Sequence, residues 1–350
     1  MNETFSQDDG STIISTSKLT KAFGNSVAVN NLDLQVRRGD VFGFLGPNGS
    51  GKTTTIRMLL GLIRPTTGRA TLFGMDNASH LPAILQRLGA IVETPIFYTY
   101  LSGVDNLRVI ASTSGMASGR VNDHRLAEVL EIVDLQSSQK LAYRTYSLGM
   151  KQRLGIAAAL LTDPELVLLD EPTNGLDPAG VVEMRQLIQR LSSHGKTIFI
   201  SSHILYEIQH VCNRVAILQK GQLVTQGEVS DLLRKREQIE VRLMREDETL
   251  VAQKVLQQMQ VQGADWIQHV SVERNHQNQL VLLIDAPVAR SAEINGVLAR
   301  QNFLVAELHP REGNLEEVFL QLTTPLAGSV SPVTQSADTT VSYERKQGQR

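Results

Sequence analysis

Eight consecutive residues, Gly46-Pro47-Asn48-Gly49-Ser50-Gly51-Lys52-Thr53, have the types and spacing needed to hold a phosphate. They match G-x-x-x-x-G-K-[ST], in which glycines let the backbone turn its N–H groups inward around an anion. The helix that must follow presents the positive end of its dipole to the same place. Lys52 would reach the β- and γ-phosphates of a nucleoside triphosphate, and the Thr53 hydroxyl would ligate Mg²⁺. The alternative, a flexible turn that happens to contain glycines, is disfavoured by the loop's place between a strand pattern and a helix pattern. Far downstream, Leu166-Val167-Leu168-Leu169-Asp170-Glu171 delivers two carboxylates at the end of an apolar run. Asp170 is placed to hold Mg²⁺ through water and Glu171 to polarise an attacking water. Alone, the pair reads better as the solvated start of a loop before Pro172; the upstream phosphate loop turns the balance to the functional reading.

The elements that must position these groups are legible as periodicities. Short β-like runs at residues 13–15, 27–29 and 32–36 precede residues 41–45, which end in the Gly-rich loop. Ile56, Leu59, Leu60 and Ile63 then fall on one helix face, with Pro65 as a stop. Residues 166–169 and 198–200 are unbroken apolar runs, typical of parallel strands buried on both faces. Between them Met184, Leu187, Ile188 and Leu191 mark an amphipathic helix. Residues 215–218 and 223–225 are joined by a Lys-Gly turn. Strands alternating with amphipathic helices predict a mostly parallel sheet covered on both sides, closing near Arg236. Residues 94–160 read as a largely helical insertion. The following stretch, 237–322, reads β-α-β-β-α-β over residues 239–243, 249–259, 267–272, 280–284, 289–299 and 303–308, the ferredoxin-like order.

Composition bounds the rest. The chain has 350 residues, 41% of them hydrophobic and 20% charged, enough for two packed units. Lys and Arg number 34 against 36 Asp and Glu, a formal charge of -2 that advertises no nucleic-acid or anionic-membrane partner. No apolar run approaches the ~18 residues that span a bilayer. The acidic, polar start is the wrong chemistry for a signal peptide. The single cysteine, Cys212, permits no intrachain disulfide and fits a reducing compartment, so a cytoplasmic chain is expected. Residues 1–11 and the Ser-, Thr-, Pro- and Gln-rich residues 323–350 are expected to be disordered.

Tyr146-Ser147-Leu148-Gly149-Met150-Lys151-Gln152-Arg153 adds a specific resemblance, to the signature motif of ABC-type ATPases, usually Leu-Ser-Gly-Gly-Gln. Ser147 reads as a helix N-cap, with Met150, Leu154, Ala157 and Leu161 on the buried face behind it. Leu148 and Met150 depart from the usual Gly and Gln. The resemblance implies that Ser147 and Gly149 touch the γ-phosphate held by the phosphate loop of another protomer. Asn174-Gly175-Leu176-Asp177 resembles the family's D-loop, with Asp177 at the dimer interface, and His203 resembles the switch histidine at the γ-phosphate. Phe23 resembles the adenine-stacking aromatic; a buried core aromatic is the alternative. By the same resemblance the nucleotide is held by Phe23, Gly46, Pro47, Asn48, Gly49, Ser50, Gly51, Lys52, Thr53 and Thr54. Where most members carry a Gln that senses Mg²⁺, Ala90-Ile91-Val92-Glu93-Thr94 places Glu93. That variant is similar to ATPases of bacitracin- and lantibiotic-type efflux and immunity transporters, and Gly313-Asn314-Leu315-Glu316-Glu317-Val318-Phe319 is similar to the ending common among them.

The resemblance implies a P-loop NTPase of ABC type: α/β, with an antiparallel β subdomain and a helical subdomain, plus a small α+β C-terminal domain. It implies an ATPase with ATP and Mg²⁺ as cofactors, the metal taken by Thr53, Asp170 and Glu93, and catalysis by Lys52, Glu171 and His203. It further implies a second ATPase subunit and a separate transmembrane permease, placing the chain on the inner face of the membrane, with export favoured and no nucleic acid expected. A non-transport ABC ATPase acting on nucleic acid or ribosomes is the alternative. Such proteins usually carry two cassettes, coiled-coil insertions or zinc-binding cysteines, whereas this chain has one cassette and one cysteine. A regulatory module that uses ATP only as a switch is disfavoured by the intact Lys52, Asp170, Glu171 and His203.

Overall fold

Alternation inside the apolar runs decides which side chain faces which layer. The computed structural model describes residues 11–93, 96–116, 120–234, 237–261, 263–275, 277–311 and 313–323. The expected N-terminal and C-terminal disordered segments lie, all but their innermost residues, outside that range. The chain opens with β1 (Thr12–Phe23), β2 (Ser26–Leu32) and β3 (Gln35–Arg37). β4 (Val41–Leu45) and α1 (Lys52–Leu59) flank the phosphate loop. β5 (Thr67–Leu72), β6 (Met75–Asp76) and α2 (Asn77–Leu85) lead into β7 (Leu88–Ile91). Three helices follow, α3 (Gly103–Thr113), α4 (Arg120–Ile132) and α5 (Leu148–Leu160). The cassette is completed by β8 (Leu166–Asp170), α6 (Pro178–Ser193), β9 (Thr197–Ser202), α7 (Leu205–Gln209), β10 (Arg214–Gln219), β11 (Gln222–Glu228) and α8 (Val229–Arg234).

Among the described residues, a six-stranded sheet runs β11-β10-β4-β9-β8-β7, parallel except for the β10–β11 hairpin. Lys220 (φ +49°) and Gly221 (φ +79°) make that hairpin turn, both left-handed as a two-residue connection of this type requires. Val167, Leu169, Ile198, Ile200, Val215 and Ile217 point to the helical side. Leu166, Leu168, Phe199, Ala216 and Leu218 point to the other, beneath α1 and an antiparallel sheet ordered β2-β1-β5-β6 with β3 paired to β1. Both faces are covered, which is why these strands read as unbroken apolar runs.

Several boundaries differ from those the periodicity predicts: the first strand runs on to Phe23 rather than ending at residue 15, and two other differences have a visible cause. Residues 32–36 do not form one strand. The Thr16 hydroxyl donates to Leu32 O at 2.8 Å and accepts from Leu34 N–H at 2.9 Å, so a buried side chain stands in the ladder and splits β2 from β3. α1 stops at Leu59, well before Pro65. Asn77 Nδ2 donates to the Met58 and Leu59 carbonyls at 2.8 and 3.0 Å, and Gly61 turns away at φ +68°.

The C-terminal stretch folds as β12 (Gln238–Leu243), α9 (Thr249–Val261), β13 (His269–Arg274), β14 (Leu280–Asp285), α10 (Ser291–Arg300) and β15 (Val305–Arg311). Its sheet is antiparallel throughout and ordered β13-β14-β12-β15, the ferredoxin-like arrangement. The last helix among the described residues, α11 (Leu315–Thr323), returns to the cassette. Leu315 and Val318 are buried in the same cluster as Ile208 and Val229, and Gln209 Oε1 accepts the Leu315 N–H at 2.9 Å.

Candidate functional site

The parallel strands end at one edge, and the chemistry-bearing residues gather there. β4 feeds the loop Gly46–Gly51, and α1 begins immediately after it with no side-chain cap on its first N–H groups. Gly49 (φ +79°) and Gly51 (φ +103°) take left-handed backbone. A Cβ on Gly51 would stand 2.6 Å from the Ala28 carbonyl, so the approach of β2 to the loop requires glycine there. Lys52, 6% exposed, folds over the loop and donates to Gly46 O at 2.7 Å and Pro47 O at 3.3 Å. Its ammonium also lies 3.2 Å from Glu171 Oε1.

The neighbouring strand ends supply the carboxylates. Asp170, buried at the last position of β8, accepts a 2.5 Å hydrogen bond from the Ser201 hydroxyl of β9. Glu171 follows in left-handed conformation (φ +50°), and its N–H is held by Ser201 Oγ at 2.9 Å and Ser201 O at 3.2 Å. Glu171 Oε2 lies 2.8 Å from His203 Nδ1. Lys52, Glu171 and His203 therefore form one connected set. They line a cavity of about 400 Å³ together with Asn48, Gly49, Gly51, Thr53, Thr54, Ala28 and Asn174.

Not every residue singled out from the sequence reaches that cavity. Phe23, at the tip of the β1–β2 hairpin, is 52% exposed with Lys21 Nζ 5.0 Å from its ring centroid, so it is no core aromatic, but it does not line the cavity. Ser147 N-caps α5, accepting from Met150 N–H at 3.2 Å. Ser147, Leu148, Gly149 and Met150 all stand apart from the cavity, with Leu148 exposed beside Gly175. Asp177 caps α6 by accepting from Gly180 N–H at 3.0 Å. Glu93 is 62% exposed and ion-paired with Arg57 on α1. The sequence alone does not single out Ser201 or Arg57, and it marks Asn174 only as the start of the loop that leads to Asp177, whereas Asn174 itself lines the cavity. The signal for Ser201 was a Ser-Ser pair terminating the apolar run of β9.

The donor chemistry fits a triphosphate with a hard cation. Ser50 Oγ is buried in the loop without a hydrogen-bond partner, an orphan that a phosphate oxygen or bridging water would satisfy. Thr53 and Asp170 offer oxygen, the ligand type Mg²⁺ takes. Among the described residues no cluster of three or more His, Cys, Asp or Glu is placed to hold a metal.

A second and larger cavity, about 780 Å³, opens between α2–β7 and α3–α5 and is lined by Leu85, Ile91, Val92, Phe97, Ile110 and Ala158 among others. No helix among the described residues is long and apolar enough to cross a membrane.

Comparison with known proteins agrees with this geometry. Residues 29–174 match the family model described as ABC transporter. The bacitracin transport ATP-binding protein BcrA of Bacillus licheniformis is 41% identical over 316 residues, 89% of this chain and 97% of that protein. The lantibiotic transport ATP-binding protein SrtF of Streptococcus pyogenes is 38% identical over 210 residues, 60% of this chain and 88% of that protein. A solved ATP binding subunit of an ABC transporter, 28% identical, superimposes with a TM-score of 0.56 over 63% of this chain and 91% of its own. A phosphate loop, a buried carboxylate strand and a covered parallel sheet, shared with relatives along almost their full length, place this chain in the ABC transporter family as an ATP-binding, ATP-hydrolysing subunit.

Proposed function

We propose that two of these cassettes close around two Mg²⁺-ATP and drive a separate membrane-embedded permease that exports an antibiotic, a peptide or another hydrophobic compound. The observation that carries this reading is the 41% identity to a bacitracin transport subunit across 97% of its length. The alignment is too long to be the cassette alone, so the ferredoxin-like unit belongs to the shared design.

In this mechanism the loop N–H groups and the α1 dipole hold the β- and γ-phosphates, and Lys52 turns from Glu171 to the γ-phosphate. Thr53 and water bound to Asp170 would hold Mg²⁺, which when bound neutralises charge on the phosphoryl oxygens. Glu171, oriented by its His203 contact and its backbone bonds to Ser201, directs water at the γ-phosphorus. Ser147 and Gly149 stand on a helix start outside their own cavity, where they are free to complete the phosphate shell of a second protomer. The apolar cavity between α2–β7 and α3–α5 is the surface offered to the permease, and it anchors the chain at the membrane's inner face.

The test is a pull-down of tagged Glu171→Gln protein from detergent-solubilised membranes with ATP present, read by mass spectrometry. A stoichiometric multi-span protein is the expected partner. Ribosomes or nucleic acid without any membrane protein would overturn the transporter reading.

A further inference from the structure

Arg57 and Glu93 make an ion pair that the proposed cycle leaves unused. Arg57 lies four residues beyond Thr53 on α1, so the two share a helix face one turn apart, about 6 Å along the axis. Glu93 follows β7, whose last residue, Ile91, pairs with Leu169 of β8. The parallel register therefore brings Glu93 to the same sheet edge as Asp170. Yet its carboxylate does not line the nucleotide cavity; it is turned onto the Arg57 guanidinium.

Three features make this an exchangeable contact rather than a structural brace. Both side chains are well exposed, 42% for Arg57 and 62% for Glu93, a setting in which ion pairs are weak and readily replaced. Glu93 holds left-handed backbone (φ +63°), a conformation that a residue with a Cβ adopts only under constraint. And a carboxylate at this edge would repel a triphosphate unless a cation neutralises it. Arg57 is that cation on one side, and a divalent ion at Thr53 and Asp170 would be a stronger one on the other.

We propose that Arg57 is a positioning residue that holds Glu93 off the metal site and surrenders it when the metal–nucleotide complex forms, an inference that rests on the metal–nucleotide reading above. The metal must then compete with Arg57 for Glu93. A neutral side chain at position 93 would feel no such competition.

The test is a double-mutant cycle on the full chain, measuring Mn²⁺ affinity by electron paramagnetic resonance in the presence of the β,γ-imido analogue of ATP. Arg57→Gln should tighten Mn²⁺ about two- to five-fold when Glu93 is present, the span expected for an exposed ion pair. It should change nothing in the Glu93→Gln background, and Arg57→Lys should behave like the parent. An equal shift in both backgrounds would mean that Arg57 acts only through its general field, and that result overturns the proposal. So would an unchanged or weakened affinity with Glu93 present. A parent chain with no analogue-dependent Mn²⁺ site would instead refute the metal–nucleotide reading itself, and is recognised before any variant is made.

Discussion

Ser201 carries a heavier burden than its size suggests, and replacing it with alanine isolates that burden. The residue is fully buried at the end of β9. Its hydroxyl donates to Asp170 Oδ1 at 2.5 Å and accepts from the Glu171 N–H at 2.9 Å. In Ser201→Ala the Glu171 N–H keeps the Ser201 carbonyl at 3.2 Å, so the loss falls chiefly on the buried carboxylate. A hydrogen bond to a charged group contributes about 1.5–3 kcal/mol, and alanine leaves almost no cavity to add to that. The cassette should lose about 2 kcal/mol, which for a unit of its size lowers Tm by about 4–8 °C. Differential scanning calorimetry reads the shift. Trp266, the single tryptophan, lies in the C-terminal unit, so its fluorescence reports that unit separately. Hydrolysis should fall as well, by about ten- to a hundred-fold, because displacing reacting groups by about 1 Å has costs of that order. ATP affinity should hold, since Ser201 does not line the cavity. A variant with parental Tm and parental turnover would refute the claim that this hydroxyl holds the carboxylates.

Three further outcomes follow from the same structure. Asp40 and Arg214 form a buried pair at 2.9 Å, their side chains only 7% and 10% exposed. Asp40→Ala should therefore cost about 3–5 kcal/mol in denaturant unfolding by stranding the guanidinium, and a loss below about 1 kcal/mol would contradict it. Gly51→Ala forces a Cβ to within 2.6 Å of Ala28 O at φ +103°, so fluorescent-nucleotide titration should show binding weakened about tenfold or more; unchanged affinity would mean the loop relaxes freely. Glu165 sits between Arg87 and Arg38, whose hydrogen bonds and charge, Arg87 foremost, bring its pKa down from 4.5 to about 2. A depressed folded pKa gives stability that is present above the unfolded value and is lost as pH falls toward the folded one. The Tm gap between parent and Glu165→Gln should thus be full at pH 6 and close between pH 4.5 and about 2; a gap independent of pH would remove the linkage.

What could be read without the structure was whatever the chain encodes locally. The phosphate loop is a run of backbone instructions, so Gly49, Gly51 and Lys52 announce themselves by type and spacing, and the unbroken run before Asp170 announces a strand buried on both faces. The β-α-β-β-α-β order of residues 237–311 is legible in the periodicity for the same reason, with ends displaced by up to three residues. What escaped were features set by partners remote in sequence. Thr16 splits an apparent strand at residues 32–36 only because β1 lies beside it. Asn77 ends α1 from 18 residues away. Arg214 meets Asp40 across a separation of 174 residues, and nothing in either neighbourhood predicts the pairing.

The return of α11 to the cassette belongs to this second kind, and it changes how the C-terminal unit is understood. Leu315 and Val318 read as one face of any amphipathic helix, and sequence alone assigns them to the nearest unit. Their burial beside Ile208 instead ties the end of the described chain to α7, the short helix that begins two residues after His203. Asn314 Oδ1 caps α11 through the Glu317 N–H at 2.7 Å, while the Gln209 side chain accepts from the Leu315 N–H. The helix start is thus fixed from both its own side and that of the cassette. The ferredoxin-like unit is therefore tied to the ATPase at both ends, by the chain that leaves α8 and by the helix that comes back to pack beside α7.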